Sequence, residues 1–464
     1  MRPRRTIFVP AAPLHRAGAT ERNMNRGIYQ VACVLTFAAA SLGAAAAAAQ
    51  DIPLLRTADV AGDTLTLSLA EAQRLALAQN PAFLAERQET VIARGELRQA
   101  RVYNFNPQLS FDAPGAATNG SLGEYEASLS QEIEIGGQRG LRIRAAGFGV
   151  ERAAASVRDA ARQTVAEASE AFYTALIAQH RLRLADEVLA LNERLLDAVR
   201  VQLREGEISA LEGNLAEIEF GRARARVLAA RRETSDATLE LKRLTGIAPE
   251  QPVRLAEELP QPPPPAALDP DSLVALALAR RPDLTARVAA TRELQALTAA
   301  ARRGRVPNLR IGALAERSVL DNEPRLGIGV GFGIPLFDRN QGIIAQRQAR
   351  AEQAVLEGRA VELRIRTGVT RAYRAYVAAS EEAAVLEESV LQPARANQAL
   401  LETAYRAGKI DLPTLLLLRN QLLDAEIGYL DAALARRQAL VDLQAATATL
   451  AVEDIRTPLN ENGP

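Results

Sequence analysis

Arg325-Leu326-Gly327-Ile328-Gly329-Val330-Gly331-Phe332-Gly333-Ile334-Pro335-Leu336 alternates without a break. Leu326, Ile328, Val330, Phe332, Ile334 and Leu336 fall on one face. Arg325, the four glycines and Pro335 fall on the other. A period of two is the signature of a strand with unlike faces. Three more stretches alternate in the same way: Tyr103–Ala113, Glu124–Ile135 and Val306–Arg317. Each runs for about 11–12 residues, the length a tilted strand needs to cross a bilayer.

Helical sequence surrounds these strands, and the pattern occurs twice at an offset of about 201 residues. Asn80-Pro81 matches Arg281-Pro282. Asn106-Pro107-Gln108-Leu109 matches Val306-Pro307-Asn308-Leu309. Ala171–Ala175 matches Ala372–Tyr376, and Gly206–Ser209 matches Gly408–Asp411. The chain divides accordingly into repeats at 68–248 and 270–451, joined by a Pro-rich linker at 249–269. That linker is expected to be stiff and extended.

Each repeat opens with a helix of about 34 residues (Ser68–Val102; Pro270–Arg305), capped by Ser68 or Asp269. Glu71 is expected to complete a capping box with Ser68. A hairpin follows (103–135; 306–336), turning at Pro114–Gly123 or Ser318–Pro324. Then comes a helix of about 66 residues (139–205; 341–407), about 100 Å long. Gly206 or Gly408 ends it, and a second helix returns (208–245; 411–451). Pro393 should bend the second long helix. Return helix and first helix, stacked end to end, match one long helix in length.

Residues 1–49 read as an N-terminal extension and signal peptide, with Met24 as a second candidate start. An apolar core from Ile28 to Gly43 precedes Ala44–Ala49, which offers cleavage sites. Residues 50–67 form an N-terminal segment, and 452–464 a polar tail. The single cysteine, Cys33, lies in the leader, so the mature chain offers no disulfide and no thiolate ligand. With 56 basic and 56 acidic residues the net charge is zero, and no nucleic-acid footprint appears. No mature segment has 18 consecutive apolar residues, which leaves a β-barrel as the way to span a membrane.

Four strands cannot close a barrel, and an open edge is not tolerated in lipid. Closed barrels start at about eight strands, which side chains tend to fill. Three chains would give twelve, with Gly327, Gly329, Gly331 and Gly333 keeping the interior clear. The expected fold is therefore mainly α with a four-strand β contribution. As a homotrimer it would form a 12-stranded barrel continued by a barrel of helices.

The chain resembles the outer-membrane efflux protein (TolC) family over nearly all of residues 68–451. Ile135-Gly136-Gly137-Gln138-Arg139-Gly140 is similar to the LGGKR hinge of the heavy-metal (CzcC-like) subgroup, with Gln138 in place of lysine. Ile334–Gly342 is similar to that subgroup's PLFDRNQG segment. The resemblance implies a channel-tunnel in the outer membrane of a Gram-negative bacterium that reaches into the periplasm. Its partners would be a periplasmic adaptor and an inner-membrane RND-type pump. Adaptor docking and gating would fall at the hairpin tips, on Gly206, Glu207, Ile208, Tyr405, Gly408, Lys409 and Ile410. The family's acidic gate positions fall on Thr414 and Leu417 and its arginine on Ile410, so an ionic gate does not carry over. Strand-to-helix hinges fall on Gly136, Gly137, Pro335, Asp338, Arg339 and Asn340, with Asp338 or Asn340 capping the new helix.

No nucleophile–base–acid set is visible, so no enzyme, catalytic residue or cofactor is expected. His180 lacks companion ligands, so no metal site is expected either. The substrate implied is a heavy-metal cation. The alternatives are a multidrug, solvent or type I protein-secretion channel and, in another class, a soluble periplasmic coiled-coil adaptor or scaffold.

Overall fold

A computed structural model describes residues 64–113, 125–256, 262–265, 268–317 and 323–450. The expected leader, most of the N-terminal segment, nearly all of both hairpin turns, parts of the linker and the tail lie outside the described residues. In chain order the elements are β1 (Leu65–Leu67), α1 (Leu69–Gln79), α2 (Pro81–Arg101), β2 (Gln108–Asp112), β3 (Tyr125–Ile133), α3 (Gln138–Glu205) and α4 (Ala210–Thr245). Then follow β4 (Val253–Leu255), α5 (Pro270–Arg280), α6 (Pro282–Arg303), β5 (Leu309–Arg317), β6 (Pro324–Phe332), α7 (Gln341–Val385), α8 (Gln392–Arg406) and α9 (Leu412–Thr447). A π-helical segment, Leu386–Leu391, joins α7 to α8.

The expected 34-residue first helices are each two helices. Asn80 and Arg281 are extended (ψ 115° and 123°), and Pro81 and Pro282 restart the helix at its first position. Proline has no N–H to continue the previous ladder and pushes the residue before it out of the helical region. Asn80 turns this break into a cap, its Oδ1 accepting from the Ala82 N–H at 2.9 Å. The Ser68 capping box is half made. Ser68 Oγ accepts from the Glu71 N–H, but the Glu71 carboxylate pairs with Arg74 instead. The full box occurs at Ser209 and Glu212.

Contacts divide the chain into two compact units. One holds residues 107–131 and 310–330. Its sheet has the order β2-β3-β5-β6. β2 and β3 are antiparallel, from Gln108 opposite Ser130 to Asp112 opposite Glu126. The Ser110 and Ser128 hydroxyls bond across the strands at 2.7 Å, and Phe111 stacks on Tyr125. The paired strands have 5, 9, 9 and 9 residues, shorter than the alternating stretches. Past β6 the alternation of the sequence runs on into a tight turn, where the Leu336 N–H reaches the Ile334 carbonyl at 2.9 Å. On β6, Leu326 and Ile328 are 88% and 87% exposed.

The other unit carries the helices. α4 packs on α3, α3 on α6 and α9, and both of these on α7. α1 and α2 also lie against α3, and α5 against α7. The result is a layer of four columns: α1, α2 and α4; then α3; then α5, α6 and α9; then α7, the π segment and α8. α1, α2 and α4 together contain as many residues as the 68 of α3. Pro393 lies just beyond the π segment. One wider turn accommodates the missing N–H where a plain bend was expected.

The main apolar core gathers Phe172, Val165 and Leu176 of α3, Leu241 and Leu244 of α4 and Val441 of α9. Leu67 and Leu255 join it from β1 and β4, which pair in parallel. Within the linker, Val253–Leu255 is thus a paired strand. Further along, the Tyr376 hydroxyl donates to the Pro263 carbonyl.

Candidate functional site

The two long-helix hairpins end in turns of one design. Gly206 and Gly408 have φ of 75° and 66°, in the left-handed region that penalises side chains. At the first tip the Glu207 N–H reaches the Gln202 carbonyl (2.9 Å) and the Gly206 N–H that of Leu203 (3.2 Å). At the second, Lys409 reaches Ala404 and Gly408 reaches Tyr405, each at 2.9 Å. This is the Schellman pattern, which satisfies the last carbonyls of a helix. Each return helix is capped at once. Ser209 Oγ accepts from Glu212 N at 3.3 Å, and Asp411 Oδ1 from Thr414 N at 3.0 Å.

Gly206, Glu207, Gly408 and Lys409 are exposed, whereas Ile208, Tyr405 and Ile410 turn inward. These three pack on one cluster built from both halves of the chain: Leu195, Leu196 and Val199 of α3, Ala216 of α4, and Leu412, Leu415 and Leu416 of α9. The tips are therefore one surface with a shared apolar base. Burial raises the Tyr405 pKa, and the Glu212 charge adds to the effect. Ile410 is held by apolar packing, Thr414 sits in the first turn of α9, and Leu417 is 58% exposed.

The two hinges differ. At the first, Gly137 (φ 75°) opens α3 without a side-chain cap. Gln138 Nε2 donates to the Arg303 and Val306 carbonyls, both at 3.3 Å. Arg142 holds Glu134 through two hydrogen bonds of 2.6 and 3.2 Å. The Tyr103 hydroxyl accepts from the Glu134 N–H at 2.9 Å and donates to the Glu132 carbonyl at 3.2 Å. Asn308 Nδ2 completes the set on Glu132 Oε1 at 2.8 Å.

At the second hinge, Asn340 is left-handed (φ 58°) and stands before α7, yet its side chain makes no cap bond. Asp338 Oδ1 accepts from the Asn340 N–H instead, so it stabilises the turn rather than the helix end. Arg339 Nε donates to the Pro335 carbonyl at 3.2 Å. Phe337 is 91% exposed. The Glu134–Arg142 pair and Tyr103 escape a reading of the sequence, because no fixed spacing links a strand carboxylate to a helix arginine.

His180 Nδ1 lies 2.8 Å from Arg183 Nη2 on its own helix. Burial and the Arg183 charge both lower its pKa. Among the described residues no group of three or more His, Cys, Asp or Glu is arranged to hold a metal ion. Among them, too, no helix is long and apolar enough to cross a membrane. The tips and hinges are built from helix caps, apolar packing and ion pairs.

The profile of the family described as outer membrane efflux protein matches residues 72–247 and 273–449. The cobalt-zinc-cadmium resistance protein CzcC of Cupriavidus metallidurans is 28% identical over 367 residues, 78% of this chain and 86% of its own. The nickel-cobalt-cadmium resistance protein NccC of Alcaligenes xylosoxydans xylosoxydans is 29% identical over 398 residues, 82% and 86% respectively. Among solved structures, the Campylobacter jejuni CmeC outer membrane channel superposes with a TM-score of 0.69 at 15% identity. It covers 82% of this chain and 85% of its own.

Proposed function

The chain belongs to the outer membrane efflux protein family, and on that premise we propose that three copies form one passive duct for heavy-metal cations. Outer-membrane location and a role in efflux follow from membership. The observation that carries the duct is β6. Its apolar row is exposed from Leu326 to Phe332, and every alternate position from Gly327 to Gly331 lacks a side chain. Such a strand suits lipid on one face and an open lumen on the other. Four strands per copy leave two sheet edges, and three copies would close twelve strands into a barrel.

Two repeats of one ancestral unit account for the pattern. The matched stretches start at 72 and 273, the offset of about 201 residues that separates the sequence anchors. Metal cations are favoured because both curated relatives named above are metal-resistance proteins. Selectivity then belongs to a pump, since the mature chain brings no cysteine or methionine to the lumen. The tips from Gly206 to Ile208 and from Tyr405 to Ile410 would meet a periplasmic adaptor linked to an RND-type pump. Gly136, Gly137 and Pro335–Asn340 would turn the chain from strand to helix.

Susceptibility of a deletion strain, with and without the gene restored, tests this. Hypersensitivity to cobalt, zinc, cadmium or nickel alone is expected. Broad drug or detergent sensitivity with metal tolerance intact would move the chain to multidrug export. Unchanged tolerance of both would refute the cation duct.

A further inference from the structure

Where β3 gives way to α3, the chain has two sides of unlike chemistry. Ile133 and Ile135 keep the phase of the apolar row, and Glu132 and Glu134 keep the polar phase. One side holds Glu134, Gln138, Arg142 and Asn308. Both carboxylates are engaged there, Glu134 by Arg142 and Glu132 by Asn308. On the other side a cleft of about 880 Å³ opens between the start of α3 and the end of α6. Ile135, Leu141 and Val306 form apolar walls, and Arg302, Arg303 and Arg305 stand round it. No carboxylate lines it.

The fold makes little use of these arginines. A helix C-terminus favours cations in its last turn, which accounts for Arg302 and Arg303 but not for Arg305 beyond the end of α6. The last four carbonyls of α6 are satisfied by backbone alone. Gly304 N–H reaches Ala300 and Ala301, Arg305 N–H reaches Arg302, and Val306 N–H reaches Arg303, all at 3.0–3.4 Å. Among the described residues the side chains of Arg303 and Arg305 have no hydrogen bond or ion pair. Arg302 touches Gln348 Oε1 at 3.4 Å, and Gln348 Nε2 in turn holds Glu352. All three arginines are exposed. The next acid on this side of α3, Glu151, stands ten residues, or about 15 Å, beyond Leu141.

Like charges gathered round a cleft repel one another until an anion lies among them. Two observations identify that anion. The cleft opens on the side of the apolar phase, the side that suits lipid, two residues past the end of β3. It also lies between the two inner columns, α3 and α6, so copies joined at the edges of the layer leave it uncovered. Apolar walls suit the glycerol and acyl chains of a lipid. Guanidinium groups suit its phosphate, which they grip by paired hydrogen bonds.

We propose that this cleft binds the phosphate of an anionic phospholipid from the periplasmic leaflet of the outer membrane, with Arg303 and Arg305 as its ligands and Arg302 beside them. This rests on the reading that the apolar rows face lipid. It adds where on the chain a lipid head is held and which groups hold it. The basic run Arg302-Arg303-Gly304-Arg305 then sets the depth of the barrel in the membrane, at the level where strand becomes helix.

The test uses the protein extracted from the outer membrane in mild detergent. It is titrated with phosphatidylglycerol, or with phosphatidylethanolamine of the same acyl chains, and native mass spectrometry counts the lipid each chain keeps. Phosphatidylglycerol should be held in preference, at one per chain. Arg303→Gln combined with Arg305→Gln should weaken that hold roughly thirtyfold, the loss of two surface cations. Arg303→Lys with Arg305→Lys keeps both charges and should keep most of the preference. Equal retention of the two lipids, or a glutamine variant that binds as well as the unaltered chain, would overturn the site and leave the duct standing. Displacement of phosphatidylglycerol by an equal concentration of inorganic phosphate would overturn the lipid as occupant. A chain recovered without detergent from the soluble fraction would overturn the lipid-facing reading beneath the proposal.

Discussion

Replacing Gly206 and Gly408 together by valine should abolish export and leave assembly intact. An ideal Cβ on either glycine meets no atom within 4 Å, so the cost comes from the backbone alone. At φ of 75° and 66° an L-residue pays roughly 1–2 kcal/mol. The pair therefore costs about 2–4 kcal/mol, and a β-branched side chain pushes toward the upper end. The chain can relieve this by leaving the left-handed region. It then gives up the bonds from Glu207 to Gln202 and from Lys409 to Ala404, each 2.9 Å. The tip surface would change, while the core around Phe172 stays as it is. The assay is metal resistance in the complemented deletion strain beside trimer yield from its outer membrane. Asparagine, which tolerates this conformation, should keep export at both positions. Full resistance in the double valine variant would refute the tips as the docking surface.

Two further outcomes follow from the hinge and the core. Arg142→Ala leaves the Glu134 carboxylate, 7% exposed, without its two bonds and should cost about 3–5 kcal/mol, read as a lower unfolding temperature. Arg142→Lys should recover only part of it, because one ammonium cannot reproduce the two-pronged contact. Burial raises the Glu170 pKa to about 7, and Asp442 adds to it. A carboxyl raised in the folded state binds its proton more tightly there, so its stability contribution is full below about 4.5 and lost as pH rises through about 7. Glu170→Gln should therefore flatten the fall in unfolding temperature over that window and stabilise the protein at pH 8. An unchanged pH profile would refute the shift.

Sequence legibility followed local chemistry. α3 and α4 were readable because Gly206 and Ser209 are strong stop and start signals, and their spacing fixes the hairpin. The breaks at Asn80 and Arg281 rest on single prolines, Pro81 and Pro282, a signal that fits a kink within one helix as well as the start of a new one. β1 and β4, three residues each, are too short to show alternation, and a linker rich in proline masked the second. The strands were visible as faces but not as lengths, since alternation outlasts the hydrogen-bonded ladder. At the tips, the sequence marked the exposed glycines but not the merging of Ile208, Tyr405 and Ile410 over one cluster. That depends on contacts between halves about 200 residues apart in the sequence.

A duct closed by three copies requires that stoichiometry in the outer membrane. Native mass spectrometry of the protein extracted from that membrane in mild detergent measures it directly. A complex of three chains is the expected result. One or two chains, or a protein recovered from the soluble periplasmic fraction, would contradict it.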